Sequence, residues 1–331
     1  MKLIMKKTKD KEVVSQPAQK EAVVKPTKES VESNRRLEEL NKLHVSSKTL
    51  LPIEDPLLTV DGIPICVKGD IVALKAKAKA GKTTTLKFMT AAMMVGDLPP
   101  LKCEVENCKV LWLDTEENLP DVKKIVEDIQ QISNLSFEYI DSHLRVYSVR
   151  KLTYKTLADD TELLISAYRP EAVVIDGLVD YIMSFNDETL SHNLLTHLIR
   201  LCDIYHCTIF AVLHTNKSDD DNNMRGHLGT MLAQKSSTVL LSSIKDGLIT
   251  IKSTESRHRA IPDFHLMYDD YGHIISADTP NGEVMNPSVL KEQKKDEAIN
   301  KIIQENHGSI SRKDLTEKLM IELNLNLFFI I

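Results

Sequence analysis

The stretch spanning residues 70–90, DIVALKAKAKAGKTTTLKFMT, constrains this chain more than any other. An apolar, β-prone run empties into Gly81-Lys82-Thr83, and a helix-forming run begins at once. A turn of this kind can point successive backbone N–H groups at phosphate oxygens. The lysine then reaches the outer phosphates, the threonine hydroxyl a Mg²⁺ ion, and the new helix offers its positive end to the anion. The cradle so predicted comprises Ala76, Lys77, Ala78, Lys79, Ala80, Gly81, Lys82, Thr83 and Thr84. The pattern G-x-x-x-x-G-K-[ST] departs at Ala76, where glycine is expected; alanine serves there if its φ is negative. A lysine-rich surface turn is the competing reading.

Around this segment apolar runs alternate with helical periods, as in an α/β protein built on a mostly parallel sheet. The runs 70–76, 109–114, 144–149, 172–176 and 208–214 read as strands. Residues 120–133 and 187–205 place their aliphatic side chains at helical spacing and read as core-facing helices. From 238 the pattern shortens. Strands at 238–244, 248–253 and 265–268, joined by turns at 245–247 and 269–272, read as antiparallel additions to one sheet edge.

Three of these strands end in chemistry. EAVVIDG is a continuous apolar run ending in Asp176, and a carboxylate at such a strand tip can support a bound metal; a turn cap is the alternative. KVLWLDTEEN ends in Asp114, Glu116 and Glu117, of which Glu116 is the candidate for orienting an attacking water; solvated loop acids are the alternative. TIFAVLHTNK ends in His214, which can sense a terminal phosphate or be an ordinary core or surface histidine.

In this order the features resemble the RecA-like ATPases, and within them the RepA-type hexameric replicative helicases and related ATPases of mobile genetic elements. The likeness runs from about residue 68 to 275. It implies a RecA-like P-loop core in which Lys82 and Thr83 bind ATP and Mg²⁺, Asp176 supports the metal and Glu116 activates water. It further implies that His214 couples the nucleotide to the loop 216–230, which in such rings can face DNA. Arg257 and Arg259 in STESRHRAIP fall where family members carry basic fingers that reach a neighbouring subunit's γ-phosphate. A homo-oligomer, a hexamer by analogy, acting on single-stranded DNA is what the resemblance implies. Two observations pull the other way. The loop after His214 holds Asp219, Asp220 and Asp221 against Lys217 and Arg225, which is poor in the cations that grip phosphates. Arg257 and Arg259 could equally pair with acids of their own subunit.

Composition bounds the rest. Among 331 residues with a net charge of −6, the first 50 carry about +5 and the remainder about −11, so no global nucleic-acid-binding charge is present. No uncharged apolar run approaches the roughly 18 residues of a membrane span, and the basic start MKLIMKKTKDKEVV lacks the apolar stretch of a secretory leader; both predict a cytoplasmic protein. Five cysteines predict buried thiols rather than a disulfide framework or a zinc site.

The domain plan expected is a basic, largely disordered arm over 1–49 with a short helix at 32–43, a RecA-like ATPase core over 50–278, and a C-terminal segment over 279–331. That last segment reads as a linker to 287 and two helices, 292–306 and one starting at Ser311 with Asp314 in a capping-box position, an incomplete winged-helix-like unit. The uncharged ending LNLNLFFII suggests a truncated or altered C-terminus. The leading reading is a Mg²⁺-dependent oligomeric ATPase acting on DNA in replication or mobilisation. The alternatives are a nucleotide-switched DNA-binding regulator without motor activity and, less favoured, a small-molecule kinase.

Overall fold

The computed structural model describes residues 28–50, 56–216, 223–257, 259–278, 283–285, 287–306 and 310–322. The chain divides into two units, Met1–Ile53 and Glu54–Ile331. In the first, helix α1 (Lys28–Lys42) starts about a turn before the expected position and is braced by charge pairs one turn apart, such as Arg35 with Glu39 at 3.6 Å.

The second unit opens with a hairpin, β1 (Pro56–Val60) and β2 (Ile63–Val67), turned at Asp61-Gly62. Strand β3 (Ile71–Ala76) feeds α2 (Lys82–Val95), followed by the short strands β4 (Asp97–Leu98) and β5 (Leu101–Cys103). Then come β6 (Val110–Asp114), α3 (Leu119–Ser133), α4 (Phe137–His143), β7 (Leu144–Ser148), α5 (Tyr154–Tyr168) and β8 (Ala172–Asp176). A 3₁₀ turn (Leu178–Tyr181) leads to α6 (Glu188–Tyr205), β9 (Thr208–His214) and α7 (Gly226–Lys235). Four strands follow, β10 (Thr238–Lys245), β11 (Leu248–Ser256), β12 (Phe264–Tyr268) and β13 (Ile274–Ser276), then α8 (Pro287–Glu305) and α9 (Arg312–Glu322).

One nine-stranded sheet organises the unit, in the order β13-β12-β11-β10-β3-β9-β8-β6-β7. The six strands from β10 to β7 are parallel, and β11, β12 and β13 add antiparallel to one side. This is the α/β, mostly parallel fold class expected. One detail differs: β10 runs parallel to β3 rather than antiparallel, because α7 forms a crossover between β9 and β10, and tight turns begin only after it. Strands β6 and β8 are buried along their whole length, which is why they read as unbroken apolar runs. Alternation along β3 sends Val72 and Leu74 into the core under α2, and Ile71 and Ala73 into the opposite core with α6 and α7.

A second, four-stranded sheet, β2-β1-β5-β4, was not anticipated. Its signal lay in the Asp61-Gly62 pair between two apolar runs, with φ of 49° and 75°. At the other end α8 begins at Pro287, five residues earlier than expected, so the linker is shorter. Before α9, Ser311 Oγ donates to Asp314 Oδ2 at 2.8 Å and accepts from the Asp314 N–H at 3.1 Å, the reciprocal cap the spacing predicted. Ala298, Ile302 and Leu319 are buried between the two helices. The described residues give this pair alone, which does not amount to a DNA-reading helix-turn-helix; the ending LNLNLFFII lies outside them, as do the arm up to residue 27 and Asp219, Asp220 and Asp221. All five cysteines are free and buried. Among the described residues no helix is long and apolar enough to cross a membrane.

Candidate functional site

The strand order brings the C-terminal tips of β3, β9, β8 and β6 side by side, and the site is built on those tips. Ala76 is buried as the last residue of β3 and does not enter the left-handed region, so the missing glycine costs the turn nothing. Beyond it Lys79 (φ 60°) and Gly81 (φ 82°) are left-handed on either side of Ala80. Such alternation turns consecutive N–H groups toward one side and makes an anion-binding concavity. No side chain caps α2 at Gly81, which leaves the first-turn N–H groups of the helix facing that concavity. Gly81 is required twice over: its φ is positive, and a Cβ there would lie 2.8 Å from Ile249 Cγ2.

Lys82, the first residue of α2, is nearly buried, and its Nζ donates to the Lys77 carbonyl at 3.1 Å and lies 3.2 Å from His214 Nδ1. Burial lowers its pKa, opposed by the charges of Asp176 and Glu116. His214 Nε2 lies 3.6 Å from Glu116 Oε1. The His214 contact, followed by the charges of His214 and Lys82, holds Glu116 below the usual carboxylate range against the opposing effect of burial. Glu116 is therefore an ionised acceptor at neutral pH.

Thr83 Oγ1 donates to Asp176 Oδ2 at 3.0 Å. Asp176 stands directly across the β6–β8 ladder from Asp114. Burial first, and then Asp114, push Asp176 up to about 7, with Thr83 and Lys82 working against the shift. Asp114 is itself 1 % exposed and raised by burial. Its Oδ1 accepts from the N–H groups of Glu116 (3.1 Å) and Glu117 (2.7 Å), fixing the loop that carries Glu116, whereas its Oδ2 is buried without a hydrogen-bond partner among the described residues.

These groups surround one cleft of about 380 Å³. Of the residues predicted from the sequence, the turn from Ala78 to Thr84 lines it together with Glu116, Asp176 and His214. Ala76 and Lys77 lie just behind. Arg257 and Arg259 do not line it. Arg257 Nη2 instead donates to the carbonyls of Gln234 (3.2 Å) and Lys235 (3.0 Å), so its own-chain partners are the carbonyl end of α7 rather than acids. Arg259 is exposed.

Asp114, named in the sequence among the acids ending its strand but given no role there, proves to line the cleft beside Asp176. Tyr268, from β12, escaped the sequence reading as a site residue: its hydroxyl sits 2.8 Å from Thr84 Oγ1 across 184 positions, and with Ile244 and Ile249 it gives the cleft an apolar wall.

The donor set fits a Mg²⁺ ion. A hydroxyl and two carboxylates, one with an unpartnered buried oxygen and one raised by its burial and by the neighbouring Asp114, are hard oxygen ligands too few for a closed cage. Mg²⁺ is bound in that way when it keeps waters and takes the remaining ligands from phosphates.

The family profile for the AAA domain matches residues 39–220. Among curated proteins none matches the sequence. A solved KaiC-like protein from the hyperthermophilic archaeon Pyrococcus horikoshii OT3 is similar at 12% identity and a TM-score of 0.48, over 69% of this chain and 99% of that one. A second solved chain, an ATPase domain, is similar at 12% identity and a TM-score of 0.47, over 74% of this chain and 97% of that one.

Proposed function

Because the chain belongs to the AAA domain family, we propose that it is a Mg²⁺-dependent ATPase that works as a homo-oligomer on single-stranded DNA. The observation that carries the hydrolytic part is the convergence of Lys82, Thr83, Glu116, Asp176 and His214 on one cleft at the end of β3. In this reading the Ala78–Thr83 turn and the Lys82 ammonium hold the triphosphate, and the Lys77 carbonyl gives up its hydrogen bond to Lys82 when phosphate enters. Thr83 and Asp176, with Asp114 beside them, would hold Mg²⁺, which when bound neutralises charge on the phosphate oxygens.

Glu116 accepts a proton from the attacking water as the water oxygen bonds to the γ-phosphorus. The bond from that phosphorus to the bridging oxygen breaks, and ADP leaves with the electron pair. His214, touching both Lys82 and Glu116, registers whether the γ-phosphate is there. Arg257 and Arg259 reach the γ-phosphate of a neighbouring copy, which makes turnover depend on assembly. A guanidinium in that role must release the α7 carbonyls it now holds.

The resemblance to hexameric replicative helicases supports DNA as the partner, a six-membered ring as the assembly, and replication or mobilisation of a mobile element as the setting. The test is ATP turnover with and without single-stranded DNA, alongside light scattering and strand displacement on a forked substrate. Wild-type turnover that rises with DNA and disappears in Lys82→Ala supports the reading. Equal turnover in the Lys82→Ala protein removes the site, and nucleotide-dependent assembly without displacement leaves a regulator in place of a motor.

A further inference from the structure

Strand β6 alternates its residues between the two faces of the sheet. Val110 and Trp112 enter the same core as Val72 and Leu74, and Leu111 and Leu113 enter the opposite one. The alternation runs on past the end of the strand. Asp114 and Glu116 line the nucleotide cleft, whereas Thr115, between them, lines a separate cleft of about 360 Å³ together with Asp180, and the two clefts have no lining residue in common.

Thr115 is 6 % exposed. Its Oγ1 donates toward three acceptors just past the end of β8: Asp180 Oδ2 at 2.7 Å, and the carbonyls of Asp176 and Gly177, both at 3.1 Å. A hydroxyl carries one hydrogen, and the carboxylate, nearest and charged, takes the strongest share of it. The Thr115 N–H donates to the Asp176 carbonyl as well, at 3.1 Å, so backbone and side chain tie the same residue to the strand tip that carries Asp176. Gly177 is what lets the two loops close on each other. Its φ is 110°, and a Cβ there would collide with Thr115 Oγ1 and stand 3.3 Å from Glu116 Cγ. Asp180 is returned to Thr115 by the 3₁₀ turn, which is anchored by the buried Tyr181, whose hydroxyl lies 2.9 Å from Thr161 Oγ1.

The residue that follows needs such a hold. The Glu116 side chain is half-exposed, and its contact with His214 reaches only the carboxylate tip. Where its backbone stands is decided by its neighbours: Asp114 Oδ1 accepts from its N–H on the nucleotide side, and Thr115 fixes it from the other. A base must meet the attacking water within hydrogen-bond reach, and a misplacement of about 1 Å can cost on the order of 10²-fold in rate.

We propose that Thr115, held by Asp180, is the positioning residue for Glu116: the clamp sets the spacing between the base on the β6 loop and the carboxylate of Asp176 on the β8 tip. The inference rests on the ATPase reading and adds to it two residues that touch neither nucleotide nor metal.

The test compares Thr115→Val, Thr115→Ser and Asp180→Ala with wild type in the full chain. Loss of the hydroxyl strands no buried acceptor, because the Asp176 carbonyl keeps the Thr115 N–H and the Gly177 carbonyl keeps the Asp180 N–H at 3.2 Å. Asp180 is exposed, so Asp180→Ala supplies a second variant that leaves the core untouched. Thr115→Val should lower kcat about tenfold or more with KM and fluorescent-nucleotide affinity within about twofold, Thr115→Ser should restore kcat to within about threefold of wild type, and Asp180→Ala should fall severalfold. In a Glu116→Gln background, single-turnover rates should show less than about threefold further loss from Thr115→Val, because the clamp acts through the base. Amide exchange at residues 116 and 117 of nucleotide-free protein, read by mass spectrometry, should be about tenfold faster in Thr115→Val than in wild type or Thr115→Ser. Wild-type kcat in Thr115→Val, the full tenfold loss repeated in the Glu116→Gln background, or equal exchange in all three proteins would overturn the proposal. Absence of turnover in wild type would strike at the ATPase reading instead, and the exchange comparison would still decide whether Thr115 clamps the loop.

Discussion

His214 Nδ1 stands 3.2 Å from Lys82 Nζ, joining the end of β9 to the first residue of α2. Its Nδ1 meets the lysine while its Nε2 faces Glu116 Oε1 at 3.6 Å. The contact therefore orders three groups at once. His214→Ala should leave nucleotide affinity within a few-fold of wild type and reduce turnover about tenfold or more, because Glu116 loses its orienting partner; unchanged turnover in a coupled-enzyme assay would remove His214 from the site.

Glu116→Gln keeps the shape of the side chain and abolishes its basicity. Turnover should fall by roughly 10²–10⁴-fold, the usual worth of a positioned base, while equilibrium binding of a fluorescent nucleotide stays intact. A variant that hydrolyses ATP at the wild-type rate would pass the role to another group.

Asp176 gives the protein a pH signature. With its value near 7 in the folded state against an ordinary 3.8, its contribution to stability is fully present below about 3.8 and is lost as pH rises through about 7. Asp176→Asn removes that dependence. In thermal melts of nucleotide-free protein the variant should match wild type near pH 3.5, where the carboxyl is protonated in both folded and unfolded chains, and exceed it by several degrees at pH 8. Mg²⁺ with nucleotide should raise the wild-type melting temperature more than the variant's. Parallel pH profiles for the two proteins would show that Asp176 is ionised without penalty.

Gly81→Ala places a Cβ against Ile249 at a backbone angle that L-residues avoid. The expected cost is about 1–3 kcal/mol, read by denaturant titration, with nucleotide binding lost as the turn shifts. Because Ile249 is itself buried in the core, the companion Gly81→Ala/Ile249→Ala protein is compared with Ile249→Ala alone: relief of the contact should make the double variant's loss smaller than the two separate losses added, while the backbone angle keeps the difference between the two proteins from vanishing.

Tyr268 offers two separable properties. Tyr268→Phe removes the hydroxyl that meets Thr84 and should change KM for ATP little. Tyr268→Ala removes the apolar wall and should raise KM about tenfold with kcat nearly preserved. Equal effects of the two substitutions would place the importance in the Thr84 hydrogen bond.

How far the sequence could be read depended on whether a feature is local. Strands β8 and β9 were legible to the residue, because strands buried on both faces must be continuous apolar runs and each ends in a polar tip. The Ala78–Thr84 turn was legible for the same reason: strand, turn and helix are consecutive. The β1–β2 hairpin passed unread although Asp61-Gly62 marked it, since Pro56 and Pro64 interrupt the β-prone pattern. Tyr268 was legible as the end of a strand but not as part of the cleft, because its place there depends on β12 lying beside the first turn of α2, a contact between residues 184 positions apart.

The central claim is that the turn at the end of β3 holds a triphosphate. A crystal structure with Mg²⁺ and a non-hydrolysable ATP analogue tests it most directly. The account predicts the β- and γ-phosphates against Lys82 and the N–H groups from Ala78 to Thr83, the metal between Thr83 and Asp176, and the base beside Tyr268. An analogue bound elsewhere, with Lys82 still hydrogen-bonded to the Lys77 carbonyl, would contradict it.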